Sequence, residues 1–195
     1  MNTFFKRLTP VWFVFLLAGG CSVLASQEVP VPVNLQYQLF LKILEFDRNL
    51  RTRVGEEIVF GVAYQKTFKE SVDTKDELVK AIEQSSLKEI DTIPIRYALI
   101  ELGGENGLAN ALDKGKVNIL YVTPLRAFDI RAFVNVCQAR QIMTVTGVPS
   151  YVNLGISIGF EAIGQNPEIV INLQSAKAEG SDFSSRLLQL ARVIE

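Results

Sequence analysis

The chain has 195 residues and a nearly balanced charge, with 20 basic and 21 acidic side chains and a formal net charge of −1. This balance, without any block of basic residues, excludes an electrostatic surface for nucleic acid. The chain contains no histidine, which excludes Ser-His-Asp and Cys-His catalysis and histidine-bearing zinc sites. An enzyme that uses carboxylates, Lys or Tyr is still compatible with the composition.

Residues 1–25 have the pattern of a secretory signal peptide. Lys6 and Arg7 supply a positive region, and the apolar run VWFVFLLAGG, too short to span a bilayer, is followed by small residues. Two processing routes are open. Signal peptidase could cut after VLA, before Ser26, or Cys21 could be lipidated, because AGGC resembles a lipobox with Ala in place of the usual Leu, Val or Ile. Both routes predict a periplasmic protein, either free or as a membrane-anchored lipoprotein that faces the periplasm.

Residues 26–33 are predicted to be an extended, proline-containing linker, and residues 34–195 a single domain. Within the domain, short apolar runs typical of buried strands alternate with amphipathic segments typical of helices. The predicted strands cover residues 57–64, 93–102, 117–123, 142–148, 156–163 and 168–173. The predicted helices cover residues 34–50, 74–87, 104–115, 127–140, 149–155 and 181–194. Asn34 is the predicted cap of the first helix, and Thr74 with Glu77 spells a capping box for the second.

The alternation of strands and helices predicts a parallel sheet with helices on both faces, because right-handed crossovers place them there. Only the turn sequence GQNP separates the last two strands, which predicts a C-terminal β-hairpin. The expected fold is therefore α/β, a single-domain three-layer sandwich with a mostly parallel sheet of about six strands. Cys137 is the only cysteine outside the export segment, so we expect a small buried residue without an internal disulfide. The alternative is a reactive thiol or an intermolecular bridge.

Ligands of open parallel sheets bind beyond the carboxyl ends of the strands. At these ends the sequence has hydroxyl, amide and backbone groups, but no carboxylate cluster and no metal-ligand spacing. No catalytic, metal-binding or cofactor-binding residue is therefore predicted. The close acidic pair Glu101 and Glu105 is expected to face solvent, and LGGENG lacks the lysine and the spacing of a phosphate-binding loop.

The segment TGVPSYVNLG joins two predicted strands through very little chain. Gly147 frees the backbone, Pro149 starts a helical turn, and Tyr151 carries an amphipathic ring. Two interpretations are open: a turn that packs its Tyr, or a recognition loop that suits a protein partner better than a substrate. The predicted partner- or ligand-facing rim consists of Tyr64, Thr123, Thr146, Gly147, Pro149, Ser150 and Tyr151.

Three segments carry a family resemblance: VNLQYQLFLKILEFDRNL, GVPSYVNLGISIGF and IVINLQSAKAEGSDFSSRLLQLARVI. From about Val33 to Ile194 the chain resembles the YfiR/HmsC-like proteins. The most specific part is the C-terminal block, with Asn172, Ala176, Gly180, Phe183, Ser184, Leu187 and Leu188 in the expected order. The resemblance implies a periplasmic, non-catalytic α/β domain that is similar in shape to one lobe of a periplasmic solute-binding protein.

The resemblance also implies a function. The best-understood members repress an inner-membrane diguanylate cyclase through its periplasmic sensor region, which lowers cyclic-di-GMP signalling and biofilm formation. They tend to be dimers, and some have disulfides that this chain cannot form internally. We therefore expect a regulatory or adaptor protein whose partner is a diguanylate cyclase or another membrane sensor, with a homodimer as its own assembly. The alternatives are a small-molecule binding module related to transporter solute-binding proteins and, third, an enzyme.

Overall fold

The computed structural model describes residues 28–103 and 107–194. The predicted signal peptide, Cys21 and Glu105 lie outside the described residues. Within the described ranges, eight strands form one sheet: β1 (Ile58–Tyr64), β2 (Glu89–Ile90), β3 (Ile93–Glu101), β4 (Ile119–Val122), β5 (Met143–Thr146), β6 (Ile158–Ile163), β7 (Asn166–Asn172) and β8 (Arg192–Ile194). The helices there are α1 (Val33–Leu44), α2 (Leu50–Val54), α3 (Lys69–Gln84), α4 (Gly107–Gly115), α5 (Ile130–Gln138), α6 (Pro149–Val152), α7 (Leu173–Ala178) and α8 (Ser185–Leu190).

The strand order is β2-β3-β1-β4-β5-β6-β7-β8. The five strands from β3 to β6 in this order are parallel, and β7 returns antiparallel to β6 as a hairpin. The predicted mostly parallel sheet with a C-terminal hairpin is confirmed. The strand count differs, since β2 and β8 were not predicted.

The last strand replaces the end of a predicted helix. The helix expected over 181–194 is only α8, and the backbone is extended at Ala191. Residues 192–194 then pair parallel with Val170–Asn172 of β7. The reason is that the outer side of β7 would otherwise leave its backbone donors and acceptors unpaired, and the backbone of a short extended segment satisfies them.

Helices cover both faces of the sheet. Phe60 and Val62 of β1 pack on one side with residues of α1, α3 and α8, whereas Val59 and Ala63 pack on the other side with residues of α4 and α5. The predicted run EIVFGVAY is therefore a strand that is buried on both faces. On the first side, the Phe40 and Phe60 rings are in contact at an interplanar angle of 57°, with their centroids 5.4 Å apart.

Several predicted helix ends were wrong. α1 begins at Val33 and ends at Leu44, and the backbone breaks around the buried Asp47 before α2 begins. Asn34 is therefore inside the first turn. α3 begins at Lys69, so Thr74 is buried within the helix and caps nothing. The earlier start follows from burial of Phe68, which anchors the first turn in the core.

Two details near the carboxyl ends of the strands bear on the site. α5 begins at Ile130, three residues later than predicted, because the Asp129 carboxylate caps it and accepts hydrogen bonds from the N–H groups of Arg131 and Ala132. α6 has Pro149 at its first position, as predicted.

Cys137 of α5 is fully buried, which confirms the prediction, and burial raises the pKa of its thiol.

Candidate functional site

The topology creates a crevice at the carboxyl ends of β1 and β4. These strands are neighbours, but the chain leaves β1 through α3 on one face and leaves β4 through α5 on the other. Their loops therefore separate, and open α/β sheets bind ligands at such a switch point. We call this the switch-point crevice.

Side chains of the protein itself fill the floor of the switch-point crevice. The hydroxyl group of Thr123 donates to the Ala63 carbonyl at 2.8 Å, and its oxygen lies 2.6 Å from the hydroxyl oxygen of Ser71. Ser71 Oγ also accepts the backbone N–H of Gln65 at 2.8 Å. These polar groups at the floor are thus bonded to one another, and neither hydroxyl is directed at solvent.

A second layer closes the crevice above the floor. The side-chain oxygen of Gln65 accepts the backbone N–H of Arg126 at 2.9 Å. The Arg126 guanidinium carbon lies 4.5 Å from the centroid of the buried Phe68 ring, a cation–π geometry. The loops after β1 and β4 are tied together in this way across the place where a solute would bind.

The N-terminal arm, residues 28–32, covers the neighbouring strand ends on the α1 side. The fully buried Gln36 donates to the Val31 carbonyl at 2.7 Å and accepts from the Tyr121 hydroxyl at 2.8 Å. Burial raises the pKa of Tyr121. Gly147 lies against this pair, and a Cβ there would be 2.6 Å from Gln36 Nε2. A side chain at position 147 would therefore displace the hydrogen-bonded Gln36 and Tyr121 side chains.

The structure corrects part of the predicted rim. Thr123, Thr146 and Gly147 are buried, so they cannot contact a partner directly. Thr146 instead donates to the Val122 carbonyl at 2.8 Å, because a hydroxyl at the end of a buried strand needs a protein acceptor. Tyr64, Pro149, Ser150 and Tyr151 do reach the surface. For these four residues, contact with a partner stays a prediction.

Tyr151 packs as part of the turn. Its hydroxyl accepts the backbone N–H of Leu125 at 2.9 Å and donates to the Leu125 carbonyl at 3.1 Å. Burial raises the pKa of this half-buried phenol. The predicted packing of Tyr151 in its turn is thus observed, and the residue supports the neighbouring loop after β4. A recognition role of this turn stays a prediction.

That loop, residues 123–129, carries the most exposed groups of the site. Arg126 and Phe128 face solvent, and Ala127 between them has a φ of 59°. Neither Arg126 nor Phe128 is among the predicted site residues, because the predicted helix 127–140 includes Phe128. Asp129 is a residue type that commonly caps helices, and it could have indicated that the helix begins after Phe128. We call the following surface the carboxyl rim: Tyr64, Glu101, Arg126, Phe128, Pro149, Ser150 and Tyr151.

An apolar cleft of about 560 Å³ opens beside the carboxyl rim, between α4 and α5. Its walls include Leu108, Phe128, Phe133 and Val136, and its rim-side end is formed by Glu101 to Gly103. The cleft can hold an apolar side chain. Its described lining includes two acidic residues, Glu101 and Asp129, of which Asp129 is engaged as the cap of α5, and it contains no Ser, Thr, Cys or Lys.

A buried polar cluster lies at the amino ends of the parallel strands, opposite the carboxyl rim. The carboxylate of Glu179 accepts hydrogen bonds from the backbone N–H and hydroxyl of Thr144, at 2.8 and 2.6 Å, and from the hydroxyl of Ser157. Burial raises the pKa of Glu179 to about 7, although these bonds and Arg53 oppose the rise. Arg53 itself forms a buried ion pair with Asp47 at 3.1 Å. This cluster joins α2 and α7 to the sheet.

Comparison with solved structures shows the fold. The chain matches an ABC domain from Streptococcus pneumonia in complex with L-Trp (TM-score 0.58, 13% identity, 84% of this chain and 62% of that one) and a conserved domain protein from Vibrio cholerae O1 biovar El Tor (TM-score 0.56, 15%, 84% and 60%). It also matches a substrate binding protein with adhesive properties from Clostridium difficile in its ligand-free, open state (TM-score 0.51, 15%, 75% and 57%). The fold is thus that of periplasmic-binding-protein domains, and the chain spans about 60% of the length of these structures.

The family follows from sequence. The model of the YfiR/HmsC-like family matches residues 60–192, so the chain belongs to the YfiR/HmsC-like family. This is a family of periplasmic, regulatory and non-catalytic domains. No curated protein is detectably similar to the chain. Within the described ranges, no helix combines the length and the apolar character needed to cross a membrane.

Proposed function

We propose that this protein is a periplasmic adaptor that binds and represses an inner-membrane diguanylate cyclase and so lowers cyclic-di-GMP signalling and biofilm formation. Membership of the YfiR/HmsC-like family is the observation that carries the proposal. Self-association into a homodimer belongs to the same proposal.

The geometry of the site supports contact with a macromolecule. A solute-binding domain needs an open crevice with free polar groups, whereas here Thr123, Ser71 and Gln65 bond to each other and to the chain. The accessible groups of the carboxyl rim include the Arg126 cation and the Phe128 ring. An exposed aromatic side chain beside an arginine is the composition typical of a protein interface.

Export is part of the proposal, with residues 1–25 as the signal peptide. Cleavage before Ser26 gives a free periplasmic protein, whereas lipidation of Cys21 anchors it to the membrane. The intact mass of the processed protein distinguishes these two forms.

The central test uses rim variants in the native host. Phe128→Ser changes an exposed side chain, so we expect a melting temperature within about 2 °C of wild type. Arg126→Glu also removes the cation–π contact with Phe68, so we expect it to melt about 2–4 °C lower and still to fold. Both variants should fail to co-purify an inner-membrane protein with a periplasmic sensor region and a cyclase domain. Cells that carry them should have cyclic-di-GMP as high as a deletion strain.

The matched control is Lys177→Glu, which reverses the charge of an exposed side chain in α7, away from the carboxyl rim. It should repress like wild type. The proposed function would be wrong if deletion of the gene left cyclic-di-GMP unchanged and the tagged wild-type protein brought down no membrane protein. If deletion raised cyclic-di-GMP but the rim variants repressed normally, the partner would bind elsewhere on the domain.

A further inference from the structure

One edge of the sheet is open along most of its length. β2 has two residues and pairs with β3 only at Ile93 and Pro94. In the part of the chain that the structure describes, no strand pairs with the outer side of β3 over residues 96–101. The unpaired backbone groups of such an edge are a template for another strand.

The hydrogen bonds at the two ends of β3 show which groups are open. The Leu102 N–H donates inward to Tyr64 at 2.8 Å, and the Ile95 N–H donates outward to the Lys88 carbonyl at 2.8 Å. Successive residues direct their backbone groups to alternate sides of a strand. The residues that direct their N–H and C=O groups outward along the open stretch are therefore Tyr97, Leu99 and Glu101.

The side chains at this edge leave it accessible. Charged residues usually protect an edge strand, but the Arg96 guanidinium turns back into its own domain. Its Nε donates to Glu57 at 2.7 Å, and its Nη2 donates to the Gly115 carbonyl at 3.1 Å. Leu99, at the centre of the stretch, is 46% exposed, and Leu87 beside the edge is 41% exposed.

We propose that β3 pairs antiparallel with β3 of a second copy of the chain about a two-fold axis at Leu99. This inference rests on the homodimer of the proposed function and names its interface. Leu99 then lies opposite Leu99 of the second copy, and Tyr97 lies opposite Glu101. Every outward N–H and C=O group of these three residues gains a partner, and the two sheets become one continuous sheet.

The open stretch of β3 has the right length to pair with the same stretch of a second copy. The Lys88 carbonyl occupies the outer side at Ile95, and the chain turns away at Gly103, where φ is 90°. The open stretch between them therefore accepts a short strand, and the same stretch of a second copy has that length. A two-fold contact of this kind is closed, because it leaves neither copy with an open β3 edge.

Apolar area also favours the second copy. Directly opposite residues in an antiparallel pair share one face of the sheet. Leu99 of one copy would therefore cover the 46%-exposed Leu99 of the other, which removes apolar area from water on both copies.

Disulfide trapping tests the register. In a Cys21→Ser background, Leu99→Cys places two thiols opposite each other at a Cα separation of about 5.5 Å, which is within disulfide range. Mild oxidation of the purified protein should convert most of it to a covalent dimer on non-reducing electrophoresis. The control is Leu190→Cys, whose side chain is 68% exposed near the other edge, and it should stay monomeric. The buried Cys137 should not react in either variant.

Light scattering provides a second readout that needs no oxidation. Leu99→Arg would place two like charges on the two-fold axis. We therefore expect a dimer mass for wild type and for Leu190→Arg, but a monomer mass for Leu99→Arg. The melting temperature of Leu99→Arg should be unchanged.

A wild-type monomer would overturn both the interface and the homodimer. A wild-type dimer in which Leu99→Cys and Leu190→Cys cross-link equally would overturn the interface alone. A Leu99→Arg variant that keeps its mass and loses only the membrane partner would show that another protein's strand occupies the edge, which also overturns the proposal.

Discussion

Glu179 shows how a single buried acid can make stability depend on pH. The side chain is fully buried and is hydrogen bonded to Thr144 and Ser157, yet burial raises its pKa to about 7 from the ordinary value of 4.5. The folded state therefore binds a proton more tightly than the unfolded state does. Its stabilising contribution is fully present below about pH 4.5 and is lost as the pH rises through about 7.

We expect Glu179→Gln to remove this pH dependence. Because each pKa unit corresponds to about 1.4 kcal/mol, the free energy of unfolding of wild type should fall by on the order of 3 kcal/mol more than that of the variant between pH 4.5 and pH 8. Urea unfolding at a series of pH values measures the difference. The control is Glu56→Gln, at an exposed position, which should follow wild type. Parallel curves for wild type and Glu179→Gln would contradict the assigned role of burial.

At the level of elements, α6 supports the loop after β4. The Tyr151 hydroxyl holds both backbone groups of Leu125, one residue before Arg126. Pro149 orients the short helix that carries Tyr151, and Gly147 leaves space for Tyr121 and Gln36 beneath it. The short connection between β5 and β6 therefore acts on the carboxyl rim indirectly, through the loop that it braces.

Tyr151→Phe should loosen that loop without unfolding the domain. Removal of two hydrogen bonds from a half-buried site should reduce the free energy of unfolding by about 1–2 kcal/mol. Hydrogen exchange of the Leu125 amide should accelerate at least tenfold, and repression should weaken. Tyr97→Phe is the matched control, because its hydroxyl donates to the exposed Glu83 carboxylate at the surface, and the change should cost less than about 0.5 kcal/mol. Unchanged exchange at Leu125 in Tyr151→Phe would show that the hydroxyl does not hold the loop.

The whole molecule combines a solute-binding fold with a closed switch-point crevice. The Gln65–Arg126 hydrogen bond and the Ser71–Thr123 contact occupy the ligand position of an open α/β sheet. The N-terminal arm adds Val31 and Gln36 over the adjoining strand ends. The filled crevice therefore supports the proposed function, in which the outer surface of the domain makes the contact with a partner.

Thermal melting with solute pools separates the adaptor from a solute-binding module. A ligand at 100 times its dissociation constant adds roughly 2.7 kcal/mol to the free energy of unfolding, which raises the melting temperature of a domain of this size by several degrees. We expect a shift below about 1 °C with pooled L-amino acids, L-Trp included, because the crevice is filled. A substrate binding protein with its own ligand is the positive control. A reproducible shift of several degrees would favour the solute-binding module.

The sequence by itself determined the alternating strands and helices, the C-terminal hairpin, the turn at Pro149 and the burial of Cys137. These features depend on local periodicity and on turn residues. Both can be recognised within a short segment of the sequence. The residues of the family resemblance likewise lie in continuous segments. The amino-acid sequence is therefore sufficient to indicate the family.

Only the tertiary structure decided where the rim residues lie. Thr123 and Thr146 look like surface hydroxyls in sequence, but they are buried because neighbouring parallel strands offer carbonyl acceptors for them. The closure of the crevice depends on Gln65 meeting Arg126 from a loop 61 positions away. The open edge of β3 likewise depends on which strands are neighbours in space. Contacts between distant segments are set by topology and packing, and no local pattern encodes them.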